Sequence, residues 1–164
     1  MDKNVGSRDG VDCYEKAADI IKHFNEDCNK EFPLKQGEVY AKIAQSETGE
    51  TAVVIVDQFM RRVHECVAQS GEMGLIDATA SLDRNDSKLI RIICPSSIGG
   101  LPLAEIVVTR EDTATLVFAL ELLKTVLPIN AFFGRGPQLG PVLFMTDDCD
   151  AERLALSQVW PNAV

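Results

Sequence analysis

Apolar residues recur along the chain with two different periods. Tyr14, Ala17, Ala18, Ile21 and Phe24 follow helical spacing and form one stripe. Asp12 is placed to cap that helix, with Glu15 three residues on completing a capping-box-like start. Residues 1–10 are polar and are expected to fray, and Asn25, Asn29 and Pro33 predict an end near residue 30. A short apolar patch, Val39–Ile43, predicts a second, weaker helix, and the polar stretch Gln45–Thr51 a linker or turn. Val53–Val56 is a β-branched run and predicts a strand. Asp57 then caps a helix over Gln58–Gln69 whose inner face is Phe59, Met60, Val63, Cys66 and Val67, with His64 at its surface or boundary.

The pattern changes after Ser70-Gly71. Gly74–Ala80 predicts a buried strand with one Asp inside it, Asp83–Ser87 a polar turn, and Lys88–Cys94 a second strand. Pro95–Gly100 is a further turn, and Leu101–Thr109 a third strand with Pro102 near its start. Three strands joined by short turns make an antiparallel meander. Asp112 or Thr113 caps the next helix, which buries Leu116, Ala119, Leu120, Leu123, Val126 and Leu127 and stops at Pro128. A Gly- and Pro-rich loop, Ala131–Gly140, leads to Pro141–Thr146, a continuous apolar strand of the kind buried on both faces in a parallel position. Ala151–Val159 closes the pattern as a helix facing inward with Leu154, Leu156 and Val159, capped by Asp148 or Asp150. The organisation is a mainly helical segment, residues 1–50, followed by an α/β domain, residues 51–164.

The order strand–strand–strand–helix–strand–helix is the ground plan of an RNase H-like fold: a three-stranded antiparallel meander plus a fourth strand, reached by a helical crossover and parallel to the first. That topology brings Asp77, inside the first strand of the meander, beside Asp147, at the end of the fourth. Two neighbouring carboxylates repel unless a proton or cation lies between them. Mg²⁺ is a hard ion held by carboxylates, water and phosphate oxygens, and paired ions stabilise the attacking and leaving oxygens of a phosphoryl displacement. Asp77 is the informative residue, because an acid in an apolar strand is costly without a partner. Asp147, Asp148 and Asp150 follow a strand, where an Asp also serves as an ordinary helix cap.

Composition adjusts this picture. The chain has 164 residues and a formal net charge of −9, which opposes strong autonomous binding to nucleic acid. Arg61, Arg62, Arg84, Lys88 and Arg91 are a modest basic grouping that reads as ordinary surface charge. No apolar run is long enough to span a bilayer and the N-terminus has no secretory character, so an intracellular protein without membrane association is expected. The five cysteines are odd in number and widely spaced, so reduced thiols are expected. Cys13, His23 and Cys28 lack the CxxC or HxxxH spacing of a zinc site.

The segments GLIDATASLDRND, GGLPLAEIVVTREDTATLVFALELLKTVLP and FFGRGPQLGPVLFMTDDCDAERLALSQVWPNAV resemble consecutive blocks of the Mutator-like (MULE) transposase domain. The matching features are Asp77 with Thr79 in a strand, the Leu101-Pro102 step, and Glu111 or Asp112 opening a long helix. Thr146-Asp147 after a hydrophobic strand and the Trp160-Pro161 pair complete the set, and VVIVDQFMRRVHECVAQSGEM resembles the lead-in of animal members. The resemblance covers about residues 52–164. It implies that Asp77 and Asp147 are the first two acids of a DDE-type site using Mg²⁺ or Mn²⁺ for DNA cleavage and strand transfer, in a nuclear protein. The family's third acid, a glutamate on a later helix beyond a fifth strand, has no counterpart, and Glu152 is not that glutamate. The domain is therefore expected to be incomplete at its C-terminus and inactive as this chain, with an open sheet edge through which a homodimer would pair. A second reading is a non-catalytic interaction module or domesticated remnant. A third is an aspartate-based phosphatase, to which LIDATAS is superficially similar, although Thr79 stands where that chemistry wants a second Asp.

Overall fold

In the computed structural model, which describes residues 6–79, 86–147 and 149–163, the first helix α1 (Gly6–Glu31) begins before its expected cap, so that Asp12 lies within it. Its stripe of Tyr14, Ala17, Ala18, Ile21 and Phe24 is half-buried while the residues between are exposed. The helix is tied down near its end by Asn25. The Asn25 Oδ1 accepts from the backbone N–H groups of Tyr40 at 2.8 Å and Ala41 at 2.9 Å, and its Nδ2 donates to the Ala41 carbonyl at 2.8 Å.

The patch expected to form a second helix is instead a strand, β1 (Ala41–Gln45), which forms an antiparallel hairpin with β2 (Thr51–Ile55). An isolated turn of helix gains too few hydrogen bonds to offset its nucleation cost, whereas the hairpin pairs five residues at once. The intervening polar stretch is the hairpin turn, with Gly49 at φ +89°. The hairpin straddles the expected boundary at residue 50 and joins both segments to one sheet.

Helix α2 (Gln58–Cys66) starts where predicted, at Asp57, whose carboxylate accepts from the Met60 N–H at 2.8 Å. It ends earlier than expected and is followed by a single turn, α3 (Gln69–Glu72). Its buried residues are Met60, Arg61, Val63 and His64, while Phe59 and Cys66 are exposed. Hydrophobic periodicity misplaces this face because two polar residues turn inward to partners of their own.

Strands β3 (Met73–Thr79), β4 (Lys88–Ser96) and β5 (Gly99–Val108) form the expected antiparallel meander. Of the expected polar turn, Asp83, Arg84 and Asn85 lie outside the described residues. The next turn is tighter than predicted, since Pro95 and Ser96 pair with Gly100 and Gly99. The ladder skips a residue at Ile92/Ile93, opposite Pro102, where the ring has no N–H to donate. Helix α4 (Thr113–Lys124) follows, then β6 (Leu143–Met145) and α5 (Asp150–Val159).

Among the described residues the result is an α/β fold with five helices and a mixed, open, six-stranded sheet in the order β1-β2-β5-β4-β3-β6. Of the strand pairs among the described residues, only β3–β6 is parallel. One face of the sheet, with Ala52, Val54, Ile76, Ile90, Ile92 and Ile106, is buried in the core with Leu116, Ala119 and Leu120 of α4 and Ala155, Leu156 and Val159 of α5. On the alternate positions Val53, Ile55, Leu89 and Val107 are only half-buried. Two expectations need correction. Among the described residues β6 is an edge strand, with Leu143 and Phe144 half-buried and Met145 exposed, rather than a strand covered on both faces. In α5, Leu154 points outward at 51% exposure and the inward position is taken by Glu152. No helix of the described residues is long and apolar enough to cross a membrane.

Candidate acidic site at the ends of the third and sixth strands

The parallel pairing of β3 with β6 sets the strand that carries Asp77 beside the strand that leads to Asp147. Met73 pairs with Leu143, Gly74 with Phe144 and Leu75 with Met145. The same offset of 70 separates Asp77 from Asp147, although β6 ends at Met145 and the ladder stops at the Leu75–Met145 pair, so Asp147 follows the strand rather than continuing its ladder. Both acids are exposed. Gly74 leaves room for the Phe144 ring: a Cβ there would lie 2.7 Å from Cε1 of Phe144. The Phe144 ring is in turn set against Trp160, at 5.1 Å between centroids, and Trp160 is fully buried. On the other side of β3, Arg91 stands across from Asp77, and its Nε lies 3.3 Å from Glu105 Oε1.

A third acid joins from α5. Glu152 is 1% exposed, and its Oε2 is buried without a hydrogen-bond partner. Burial first, then the negative charges of Asp147, Glu111 and Asp77, push its carboxyl up to about 7. The same three charges that disfavour its ionisation mark one locality, shared by the ends of β3 and β6, the entry to α4 and the first turn of α5. Within it, one ligand atom each from Glu111, Cys149 and Glu152 lie within 4.8 Å of one another. Asp77 and Asp147 are not members of that tighter group.

Two helix starts face this locality. Asp112 caps α4, accepting from the Thr115 N–H at 2.9 Å, and that backbone hydrogen bond is the largest cause holding its carboxyl below the usual range. The cap of α5 is Cys149, not Asp150, and its side chain makes no capping hydrogen bond; Asp148 lies outside the described residues. Amide groups at helix starts favour negative charge and account for part of the acids' placement. They leave the bare oxygen of Glu152 without a partner.

Alongside β6 and α5 runs a groove of about 460 Å³ lined by Thr146, Asp147, Arg153, Ser157 and Trp160, among others. Arg153 pairs with Asp150 at its rim. Among the described residues, the basic grouping noted in the sequence is largely engaged in pairs within the fold. Arg61 is buried, donating to Glu38 Oε2 at 3.0 Å and to the carbonyls of Val39 and Val126 at 2.9 Å each. Lys88 pairs with Asp86, Arg91 with Glu105, and Arg84 is outside the described residues.

His64 is neither at the surface nor near these acids' strand ends. It is fully buried, with Nε2 3.1 Å from the Leu103 carbonyl and Nδ1 3.3 Å from the Phe132 N–H. These partners select the neutral tautomer with the proton on Nε2. Burial lowers its pKa to about 4, so it is a structural bridge between α2, β5 and the loop after α4.

The sequence thus led to Asp77 and Asp147 and passed over Glu152, Glu111 and Cys149 as a group. A signal for Glu152 was present: with Ala155, Leu156 and Val159 it completes a helical stripe at i, i+3, i+4 and i+7. An acid at the head of an apolar stripe is a buried acid. No protein-family model, curated protein or solved structure matches the chain.

Proposed function

We propose that the chain is a transposase-derived protein carrying part of a DDE-type, RNase H-like domain, in which Asp77 and Asp147 hold Mg²⁺ or Mn²⁺. The observation that supports this reading best is the parallel β3–β6 pairing, which sets the Asp77-bearing strand beside the strand that leads to Asp147. The strand order β5-β4-β3-β6, an antiparallel meander with a parallel strand beside its first member, agrees with the RNase H-like ground plan. An antiparallel strand directly after β3 disfavours the phosphatase alternative, which needs a helical crossover there.

In this proposal Asp77 in β3 and Asp147 just after β6, both exposed, bind the cation as acceptor-only carboxylates, and the buried Glu152 lies behind them. Such a cation neutralises charge on a scissile phosphate. The groove beside Asp147 receives the nucleic-acid strand, and Arg153 at its rim supplies one cation for a phosphate. With a net charge of −9 and Arg61 folded inward, the chain has little else to bind DNA with, so its turnover alone is negligible.

Two measurements on the full chain test the reading. Calorimetric titration with Mn²⁺ should show affinity reduced about tenfold or more in Asp77→Asn and in Asp147→Asn, a loss of about 1.4 kcal/mol. Unchanged affinity in both variants ends the proposed site. A nicking assay on terminal-repeat DNA with Mg²⁺ or Mn²⁺ should give no more than trace product. Robust product that vanishes in Asp77→Asn would overturn the inactivity while supporting the site.

A further inference from the structure

We infer that Glu111, Cys149 and Glu152 form a three-ligand site for a borderline-soft divalent ion of the zinc class, separate from the Asp77–Asp147 pair. Three observations carry this. The ligand atoms already lie within 4.8 Å of one another, although they come from the β5–α4 connection and the start of α5. Glu152 is 1% exposed and presents a buried oxygen with no hydrogen-bond partner, which a cation would satisfy. Cys149 occupies the cap of α5 with no capping hydrogen bond, at a position where Ser, Thr, Asp or Asn would ordinarily accept one.

The donor set selects the ion. One sulfur and two carboxylate oxygens suit zinc-like ions, whereas Mg²⁺ takes oxygen ligands alone. Ligands about 2.0–2.3 Å from a shared zinc ion stand within roughly 4 Å of each other. Closing the present spread needs a torsional change of about an ångström, and Glu111, exposed and outside the helix, is free to make it. Binding releases the Cys149 thiol proton, and any proton on Glu152, to solvent. Three protein ligands leave a fourth position for water or substrate, the arrangement of catalytic rather than structural zinc sites. The competing occupant is a proton shared between Glu111 and Glu152, which would satisfy the same oxygen without metal.

The test is a Co²⁺ titration of the chelator-treated full chain, with folding followed by circular dichroism. Co²⁺ bound at this site gives a near-ultraviolet thiolate-to-cobalt charge-transfer band that saturates at one equivalent and is abolished by added Zn²⁺. Cys149→Ser should remove the band, and Glu111→Gln and Glu152→Gln should each weaken Co²⁺ binding about tenfold or more. Glu111→Gln keeps the test decisive where a buried variant fails to fold, because Glu111 is exposed. The Asp77→Asn/Asp147→Asn double variant should retain the band. A folded chain without the band favours the shared proton and overturns the inference. So does a band that persists in Cys149→Ser, or affinity unchanged by Glu111→Gln. A band lost in the double variant would refute the separateness of the two sites. The inference does not rest on the transposase reading, and the Mn²⁺ titration above fails or succeeds independently of it.

Discussion

At the scale of single residues, the informative side chains are polar ones placed where the core should be. His64 reads from its helix position as a boundary residue, yet it is fully buried because Leu103 and Phe132 supply one acceptor and one donor to a neutral ring. Its pKa is lowered from 6.5 to about 4, so the unfolded chain binds a proton in this window that the folded chain does not. The contribution of His64 is therefore complete above about pH 6.5 and is lost as pH falls toward 4. Urea denaturation at a series of pH values should show a decline on the order of 3 kcal/mol across that window from this group, and His64→Gln should flatten it. An undiminished slope in His64→Gln would assign the decline to other groups. Glu152 makes the same point about legibility. Its helical phase with Ala155, Leu156 and Val159 is readable, whereas apolar character alone points to Leu154, which is 51% exposed.

At the scale of elements, the chain is most readable where local chemistry starts or stops a structure. Asp57 and Asp112 cap their helices as their positions suggest, and the meander of β3, β4 and β5 follows from β-branched runs punctuated by turns. Asp112→Ala should cost about 0.5–2 kcal/mol, measured as a shift in urea midpoint at pH 7. The loss should shrink at low pH, where protonation of the carboxyl already weakens the cap. The readings that failed depend on partners distant in sequence. Val39–Ile43 lacks enough length to declare a period, and only β2 makes it part of a strand. Pro141–Thr146 is apolar enough for a central position, but its burial is set by whether a further strand lies beside it, and among the described residues none does. The inner face of α2 was misplaced for the reason His64 illustrates.

At the scale of the whole molecule, the sheet brings together strands that are distant in sequence. The parallel pairing of β6 with β3 was legible because a meander followed by a helical crossover has few topological solutions. The Glu111, Cys149 and Glu152 group was not, because it joins the ends of three elements whose approach depends on how α4 and α5 pack over the same face. Nor could charge counting reveal that Arg61 is spent inside the fold on Glu38 and two carbonyls, leaving an acidic exterior poorer in cations than the sequence suggests.

The close approach at Gly74 has a remote effect. A parallel ladder of three rungs has little to hold its alignment, and here a missing methyl lets the Phe144 ring lie flush against the neighbouring strand. Gly74→Ala would touch neither acid. It would press on a ring that Trp160 prevents from swinging away, and so slide or splay β6 relative to β3. We expect Mn²⁺ affinity to drop about tenfold or more while far-ultraviolet circular dichroism stays that of a folded chain. Affinity equal to that of the unmodified chain would mean that metal binding does not depend on this one interstrand contact.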